Sequence, residues 1–355
     1  SYDANGDIIP NSGCGSWLLE PQSTNLIPYS EDFSQSGWDN TAYPVTITSN
    51  SIISPDGSLN ANLITPTSGS SRHAIRDFNS SGTSGSTYTL SAFVKKGGSR
   101  YVVFGDAGDS LWRVVTADLN NGVITSEYNS SGTITAYKNG WYRITCVITR
   151  TNSGTIQFSL GASETSSNSG LPSFDNTSLT VYAYGAQLEQ GSYATSYIPT
   201  SGVSSTKLAD IATNSGNASL INSSEGVLYA EISALADDGT FRGVSISDGT
   251  YSNRCVLRYG GSSNRINVLV QSNGIDVFDN NAILSDIKDF NKIALKYKQN
   301  DFALWINGNE VVTSTSGAAP INLSQLQFAD SVNSGVFFYG KTKALAVYKT
   351  ALTDA

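Results

Sequence analysis

The sequence predicts an all-β chain built as two tandem antiparallel β-sandwiches, and three observations carry that expectation. Apolar side chains recur with period two in short segments along most of the length, which is the in-and-out alternation of strands. Gly, Ser and Asn turns separate the segments at short, even spacing, as in antiparallel sandwiches. A stop made by Pro199 and Gly202 then divides the 355 residues into two parts, each long enough to bury a core.

Taken in order, residues 1–28 read as an irregular N-terminal attachment segment in which WLLEP is the apolar cluster. DANGD, from Asp3 to Asp7, reads as a turn, because the twelve-position calcium-loop pattern with its closing Glu is missing. Residues 29–198 form the first sandwich. Its strands set Tyr88, Leu90, Ala92 and Val94 on one face, then Tyr142, Ile144, Cys146 and Ile148, then Ile156, Phe158 and Leu160, with Trp38 and Trp141 as core anchors. The closing strand is expected to place Tyr182, Tyr184, Ala186 and Leu188 on one side and to end near Ile198. Residues 199–222 have linker composition, with the alternative of a short strand that tucks onto either neighbour. Residues 223–355 form the second sandwich, where Asn307 and Gly308 in DFALWINGNEVV predict a tight primed turn. ILSDIKDF, near Ile283 to Phe290, is either a short helix or a loop with one turn.

Charge and cysteine usage exclude several classes of function. With 21 Lys plus Arg against 29 Asp plus Glu, the net charge of −8 is opposite to what a phosphate backbone selects. It suits a neutral partner such as a glycan, and equally a secreted domain with none. Three widely spaced cysteines give neither a disulfide framework nor zinc spacing, so Cys146 and Cys255 are expected as buried thiols and Cys14 as an exposed one. No apolar run is long enough to cross a bilayer, and the order of a signal peptide is missing. The chain has no Met, which suits a processed product or a piece of something longer. Six N-x-S/T sites, at Asn79, Asn129, Asn176, Asn217, Asn222 and Asn322, are what chance gives in a chain this rich in Asn, Ser and Thr.

Several phrases are more specific. LLEPQSTNLIPYSEDFSQSGW, YTLSAFVKKG followed by RYV, NGWYRI, and GAQLEQGSYATSYIPTSG resemble recurring phrases of phage and prophage virion proteins such as tail fibres and spikes. There they belong to a jelly roll similar to carbohydrate-binding modules. KIALKYKQNDFALWINGNEVV and the closing KALAVYKTALTDA are similar to concanavalin A-like, laminin-G-like sandwiches. Together the resemblances span most of residues 18 to 355, and they mark scaffold strands. Relatives usually continue with an acidic helical turn after ALTDA, so the chain is expected to be cut short there. The resemblance implies a jelly roll followed by a concanavalin A-like domain, at the virion surface or otherwise extracellular. It also implies a homo-oligomer, with a trimer favoured, and as partners a host-surface polysaccharide and other virion proteins, with no nucleic acid and no membrane.

Catalytic constellations are missing from the sequence. Glu225, Glu231 and Glu310 are widely spaced, with none of the E-x-D-x-x-E clustering that puts two carboxylates beside a glycosidic bond. His73 is the sole histidine, and no nucleophile elbow surrounds a serine. The Gly-rich pieces lack the lysine of a phosphate loop. A binding module needs instead outward aromatic rings with polar neighbours. The candidates are Trp305, out of phase with Phe302, Leu304 and Ile306; Trp112 beside Asp106 and Asp109; and Tyr251 beside Asp248, Asn253 and Arg254. For each, the competing assignment is a core or inter-domain aromatic. The resemblance further implies a structural calcium, for which Glu31, Asp32 and Glu189 are candidate ligands if the first and closing strands pair. Three functions stay open: a non-enzymatic phage tail-fibre, spike or head-decoration protein that binds host glycans, a tandem carbohydrate-binding region of a secreted polysaccharide-degrading enzyme, and a purely structural virion protein.

Overall fold

The computed structural model of the chain describes residues 15–106, 108, 111–330 and 335–352. Asp3 to Asp7, Cys14 and Asp109 lie outside the described residues. Within them the regular structure is β, with antiparallel ladders, apart from the single 3-10 turn Lys138–Gly140. The chain divides into two compact units. Of the described residues, one unit holds Gln22–Leu208; the other joins Gly15–Pro21 with those from Ala209 on.

The Gln22–Leu208 unit is a sandwich of two six-stranded sheets. One sheet runs in the order Val123–Tyr128, Arg113–Asp118, Tyr101–Asp106, Gly154–Ser163, Ile75–Gly82, Trp38–Asp39. The other runs Ser131–Ala136, Trp141–Thr149, Thr87–Lys96, Val181–Gln190, Leu59–Pro66, Val45–Ile53. The alternation is realised between them: Tyr88, Leu90, Ala92 and Val94 meet Ile156, Phe158 and Leu160 in one core, with Ile144, Cys146 and Ile148, and Tyr142 packs at its border. Edge-to-face rings run through it, with centroids 4.8 Å apart for Phe33 and Trp38, 5.5 Å for Trp38 and Phe158, and 5.1 Å for Phe158 and Phe104. Trp141 is buried outside that core, with Phe93 and Tyr184, and its indole N–H donates to the Ile53 carbonyl at 3.1 Å.

One alternation is interrupted. Val181, Ala183, Ala186 and Leu188 face the main core, whereas Tyr184 lies on the other side of the sheet. Against Thr87–Lys96 the register slips between Tyr184, opposite Phe93, and Gln187, opposite Ser91. One extra residue is accommodated there, and Gly185 takes φ 64. A bulge of this kind reverses the phase of every side chain beyond it, which corrects the expectation that Tyr182, Tyr184, Ala186 and Leu188 share a side.

The phrases NLIPYS and QLEQGSYATSYIPT are the two halves of one buried hydrogen-bond knot. Asn25 Nδ2 donates to the carbonyls of Ala186 at 3.1 Å and Ile198 at 2.9 Å, and its Oδ1 accepts from the N–H of Ile27 and of Leu188. Thr200 Oγ1 donates to the Ile27 carbonyl at 2.6 Å. Gln187 Oε1 accepts from the Ile198 N–H at 2.7 Å. Buried polar groups are tolerated only when paired this fully.

In the second unit, Trp17–Leu19, Gly340–Tyr348, Glu225–Ala234, Asn291–Lys298, Phe302–Ile306 and Asn309–Ser314 form one sheet in that order. Ile275–Ile283, Arg265–Ser272, Arg254–Tyr259, Arg242–Ser247 and Gln325–Gln327 form the facing one. Phe302, Leu304 and Ile306 enter the shared core. Asn307 at φ 51 and Gly308 at φ 88 make the tight turn. ILSDIKDF is a loop with a turn, pinned by the buried Leu284 and Ile287.

The N-terminal segment expected to be irregular is divided between the units, and the linker holds the short strand allowed for it. Trp17–Leu19 adds to the edge of the second sandwich beside Gly340–Tyr348, while Ser23–Asn25 pairs with Ser205–Lys207 in the first. Unpaired strand edges present a row of backbone donors and acceptors, and such short strands satisfy them.

Candidate functional site

Aromatic and guanidinium groups alternate across one outer surface of the first sandwich. In Ile75–Gly82 the core-facing Ile75 sets Arg76 and Phe78 outward. Next to them the short strand Ser71–Arg72, held by Ser173–Phe174, carries Arg72. Trp112 leads into Arg113–Asp118, and its carbonyl is fixed by Asn129 Nδ2 at 3.1 Å. Tyr43 comes from the loop before Val45–Ile53.

The order across the surface is Trp112, Arg72, Tyr43, Arg76, Phe78. Arg72 Cζ lies 5.5 Å from the Trp112 ring centre and 5.7 Å from that of Tyr43. Arg76 Cζ lies 3.9 Å from Tyr43 and 4.7 Å from Phe78. Each falls within the roughly 6 Å reach of a cation–π contact. Beneath lies a small apolar floor of Ala74, Val103, Val114 and Leu171, on which Tyr43 and Trp112 pack half-buried. Gly170 permits the close seat of the indole: a Cβ at that position would stand 2.9 Å from the Trp112 ring.

The two arginines differ in their partners. Arg76 is buried and ion-paired with Asp39. Burial works to raise the Asp39 carboxyl, yet the Thr41 N–H and hydroxyl and the Arg76 charge hold it below its ordinary value. Arg72 is exposed, and its Nε donates to the Leu171 carbonyl at 3.1 Å.

Of the residues singled out from the sequence beside Trp112, Asp106 does not reach this surface. It is wholly buried, its Oδ2 meeting Arg150 at 2.7 Å and Arg113 at 3.2 Å, and its Oδ1 accepting from the N–H of Gly108 and Gln157 at 2.8 Å each. A carboxylate occupied on both oxygens by the fold is a structural counter-charge, so its assignment to a ligand is corrected. Asp109 is outside the described residues.

Tyr251 and Arg254 are brought together in the second unit, with Arg254 Cζ 4.8 Å from the ring centre. Tyr251 is exposed, but Arg254 is buried, and Asp330 binds it at 2.9 Å and Arg258 at 2.8 Å. Arg258 in turn lies under the exposed Phe241 at 4.9 Å. These arginines are held by the fold, and the rings stand at the rim. Trp305 faces outward, half-buried, opposite Ala294, which pairs with Tyr229.

The predicted calcium ligands are not gathered. Glu189 is buried, with Oε1 bound by Ser23 and Thr195 at 2.5 Å each and Oε2 by Gln187 at 2.6 Å. Asp32 closes its own turn on Ser34 and Gln35. Glu31 meets Asp56 instead: the Tyr184 hydroxyl stands 2.8 Å from a carboxylate oxygen of each. Burial and these acids push the Tyr184 phenol far up. Burial opposes ionisation of Asp56, but bonds from Ser58, Ser54, Tyr184 and Asn60 outweigh it and hold the carboxyl at about 2. Among the described residues no group of three His, Cys, Asp or Glu is arranged to hold a metal. His73 is buried, its Nδ1 2.7 Å from the Pro44 carbonyl and its Nε2 3.1 Å from that of Phe174, which makes it a strut beneath the surface.

Arg72, Tyr43, Arg76 and Phe78 were not singled out from the sequence. The alternation of Arg76 and Phe78 with Ile75 and Asp77 in SRHAIRDF carried a signal for two of them, while Tyr43 and Arg72 reach Trp112 through tertiary contact alone.

No protein family and no curated protein matches the chain. Solved structures similar to it include the CBM40 of the Ruminococcus gnavus IT-sialidase bound to α2,3-sialyllactose, with TM-score 0.33 and 14% identity over 41% of this chain and 90% of that one. Sheep galectin-11 in complex with glycerol gives TM-score 0.29 and 8% identity over 40% of this chain and 99% of the galectin. Domains LG4-5 of the mouse laminin α1 chain give TM-score 0.29 and 12% identity over 81% of this chain and 96% of theirs.

Proposed function

We propose that the chain is a non-enzymatic carbohydrate-binding protein whose ligand lies along the Trp112–Arg72–Tyr43–Arg76–Phe78 ladder, and that it serves on a phage particle as a fibre, spike or decoration protein facing host-surface glycans. The ladder carries the reading. Sugar rings present apolar faces that pack on aromatic side chains, and their hydroxyls need fixed polar donors between the rings. Such a row provides both on a sheet face and the loops that border it. The virion setting rests on the phrases from Leu18 to Trp38, Tyr88 to Gly97 and Gly185 to Gly202. In that setting several copies of a weak site act together, so modest affinity per site suffices.

The test is binding of the full chain to an array of bacterial surface polysaccharides. Trp112→Ala and Tyr43→Ala are expected to weaken binding about tenfold or more, the loss of roughly 1.4 kcal/mol or above that a stacked ring and its cation–π partner supply. Trp305→Ala, in the other unit, should leave it unchanged. Binding that survives both ladder substitutions and fails with Trp305→Ala would place the site elsewhere. If the unaltered protein binds no polysaccharide on the array, the adhesion reading fails.

A further inference from the structure

We propose that the sugar held on this ladder bears a carboxylate, of the hexuronate class, and that Arg72 receives it; the inference rests on the glycan-binding reading of the ladder. Most guanidinium groups elsewhere in the described residues are neutralised from within: Arg76, Arg100, Arg113, Arg150, Arg242, Arg254 and Arg258 each meet an Asp carboxylate, while Arg265 turns to the Asn281 amide oxygen. Arg72 meets none among the described residues. Its one protein hydrogen bond there runs from Nε to the Leu171 carbonyl, which leaves both terminal amino groups without a protein acceptor.

The surroundings do not compensate the charge. Asp39, the acid nearest along the ladder, is taken up by Arg76. Asp175, which follows the strand Ser173–Phe174 that holds Arg72 in place, accepts the Gly69 N–H at 2.8 Å. Trp112 and Tyr43 both lie within cation–π reach of the guanidinium and restrict it. A planar fork with free N–H groups matches a planar carboxylate through two parallel bonds, and holding the fork in advance removes part of the ordering cost. The hydroxyls of a neutral sugar accept single bonds from these N–H groups but leave the charge uncompensated, whereas a carboxylate does both. In a chain of net charge −8 an uncompensated guanidinium between two rings is informative, because the overall field repels an anion and the fork must attract it at short range.

The test compares oligogalacturonate with its carboxyl-reduced counterpart, binding each to the full chain by calorimetry, with a sulfated neutral oligosaccharide as a third probe. The carboxylated ligand should bind about tenfold more tightly than the reduced one, the usual worth of charge-assisted hydrogen bonds. Arg72→Ala should bring the two within about twofold of each other while still binding both. Arg72→Lys should restore only part of the preference, since an ammonium lacks the fork. An unchanged thermal midpoint in both variants shows that the exposed side chain has not altered the fold. Equal binding of acid and reduced forms, with both lost in Trp112→Ala, overturns the carboxylate while leaving the glycan reading intact. Preference for the sulfated probe overturns it as well. Binding of none of the probes, and of no polysaccharide on the array, removes both.

Discussion

Replacing Asp106 by Asn separates a structural counter-charge from a ligand contact. Asn keeps an oxygen for the Gly108 and Gln157 N–H groups, but it turns an amide N–H₂ toward Arg113 and Arg150, donor against donor. The Asp106 side chain is 0% exposed and those of Arg113 and Arg150 are 2% and 0%, so solvent cannot take the place of the lost charge. Removing one member of a buried ion pair costs about 3–5 kcal/mol. For a unit in the 150–250-residue range each kcal/mol moves the melting midpoint by about 2–4 °C, so the first sandwich should melt roughly 6–20 °C lower. Scanning calorimetry on the full chain reads this directly, since the two units need not unfold as one. Glycan binding measured below the new transition should persist. An Asp106→Asn protein that melts with the unaltered chain and yet loses its ligand would refute the structural role, because that is the behaviour of a contact residue.

Three further outcomes are expected from the same geometry. The Arg100 guanidinium, foremost, with the N–H groups of Asn120 and Asn121, holds the Asp118 carboxyl at about 2 against an ordinary 3.8. A carboxyl depressed in the folded state gives stability that is complete above the ordinary value and lost as pH falls through the folded one. Urea midpoints measured from pH 4 down to pH 2 should therefore fall less steeply for Asp118→Asn than for the unaltered chain, and identical slopes would contradict the pairing. Burial pushes the Cys146 thiol up to about 12 and raises Cys255 as well, so an alkylating reagent at mildly alkaline pH should modify neither until denaturant is added. Peptide mapping that finds either one labelled in the native protein refutes their burial. Gly170→Val places side-chain atoms where the Trp112 ring lies, so ligand affinity should drop toward that of Trp112→Ala with little change in melting; full affinity in the variant would show that the indole seat does not matter.

The strands were legible where each carries a continuous alternation. Leu90, Ala92 and Val94, or Ile156, Phe158 and Leu160, needed only period two and a buried face. The closing strand misled because phase is global: one glycine-centred bulge at Gly185 inverts every later side chain of the strand, although a lone Gly within a strand pattern is itself the cue. Asp106 was misplaced for a different reason. DAGDS has the composition of a loop, and the burial of Asp106 is decided by Arg113 and Arg150, whose approach is tertiary. The ladder shows the same limit, since Tyr43, Arg72 and Trp112 sit on separate segments and no local pattern relates them. The most recognisable wording, around Asn25 and from Gln187 to Thr200, records the demands of a buried polar knot, which explains why it marks scaffold and not ligand.

The three-residue strand Trp17–Leu19 fixes an order of assembly. Trp17 pairs with Thr342, so all of Gln22–Leu208 lies between the two sides of that ladder. During synthesis the intervening sandwich is complete long before Gly340–Tyr348 exists, and the edge strand Trp17–Leu19 must wait unpaired. Closing so long a flexible loop adds only about 0.6 kcal/mol per doubling of length, and a folded insert shortens the span that remains free. The second sandwich therefore inherits its closure from the first. A lesion that slows folding of the first should delay completion of a unit in which no residue has been changed.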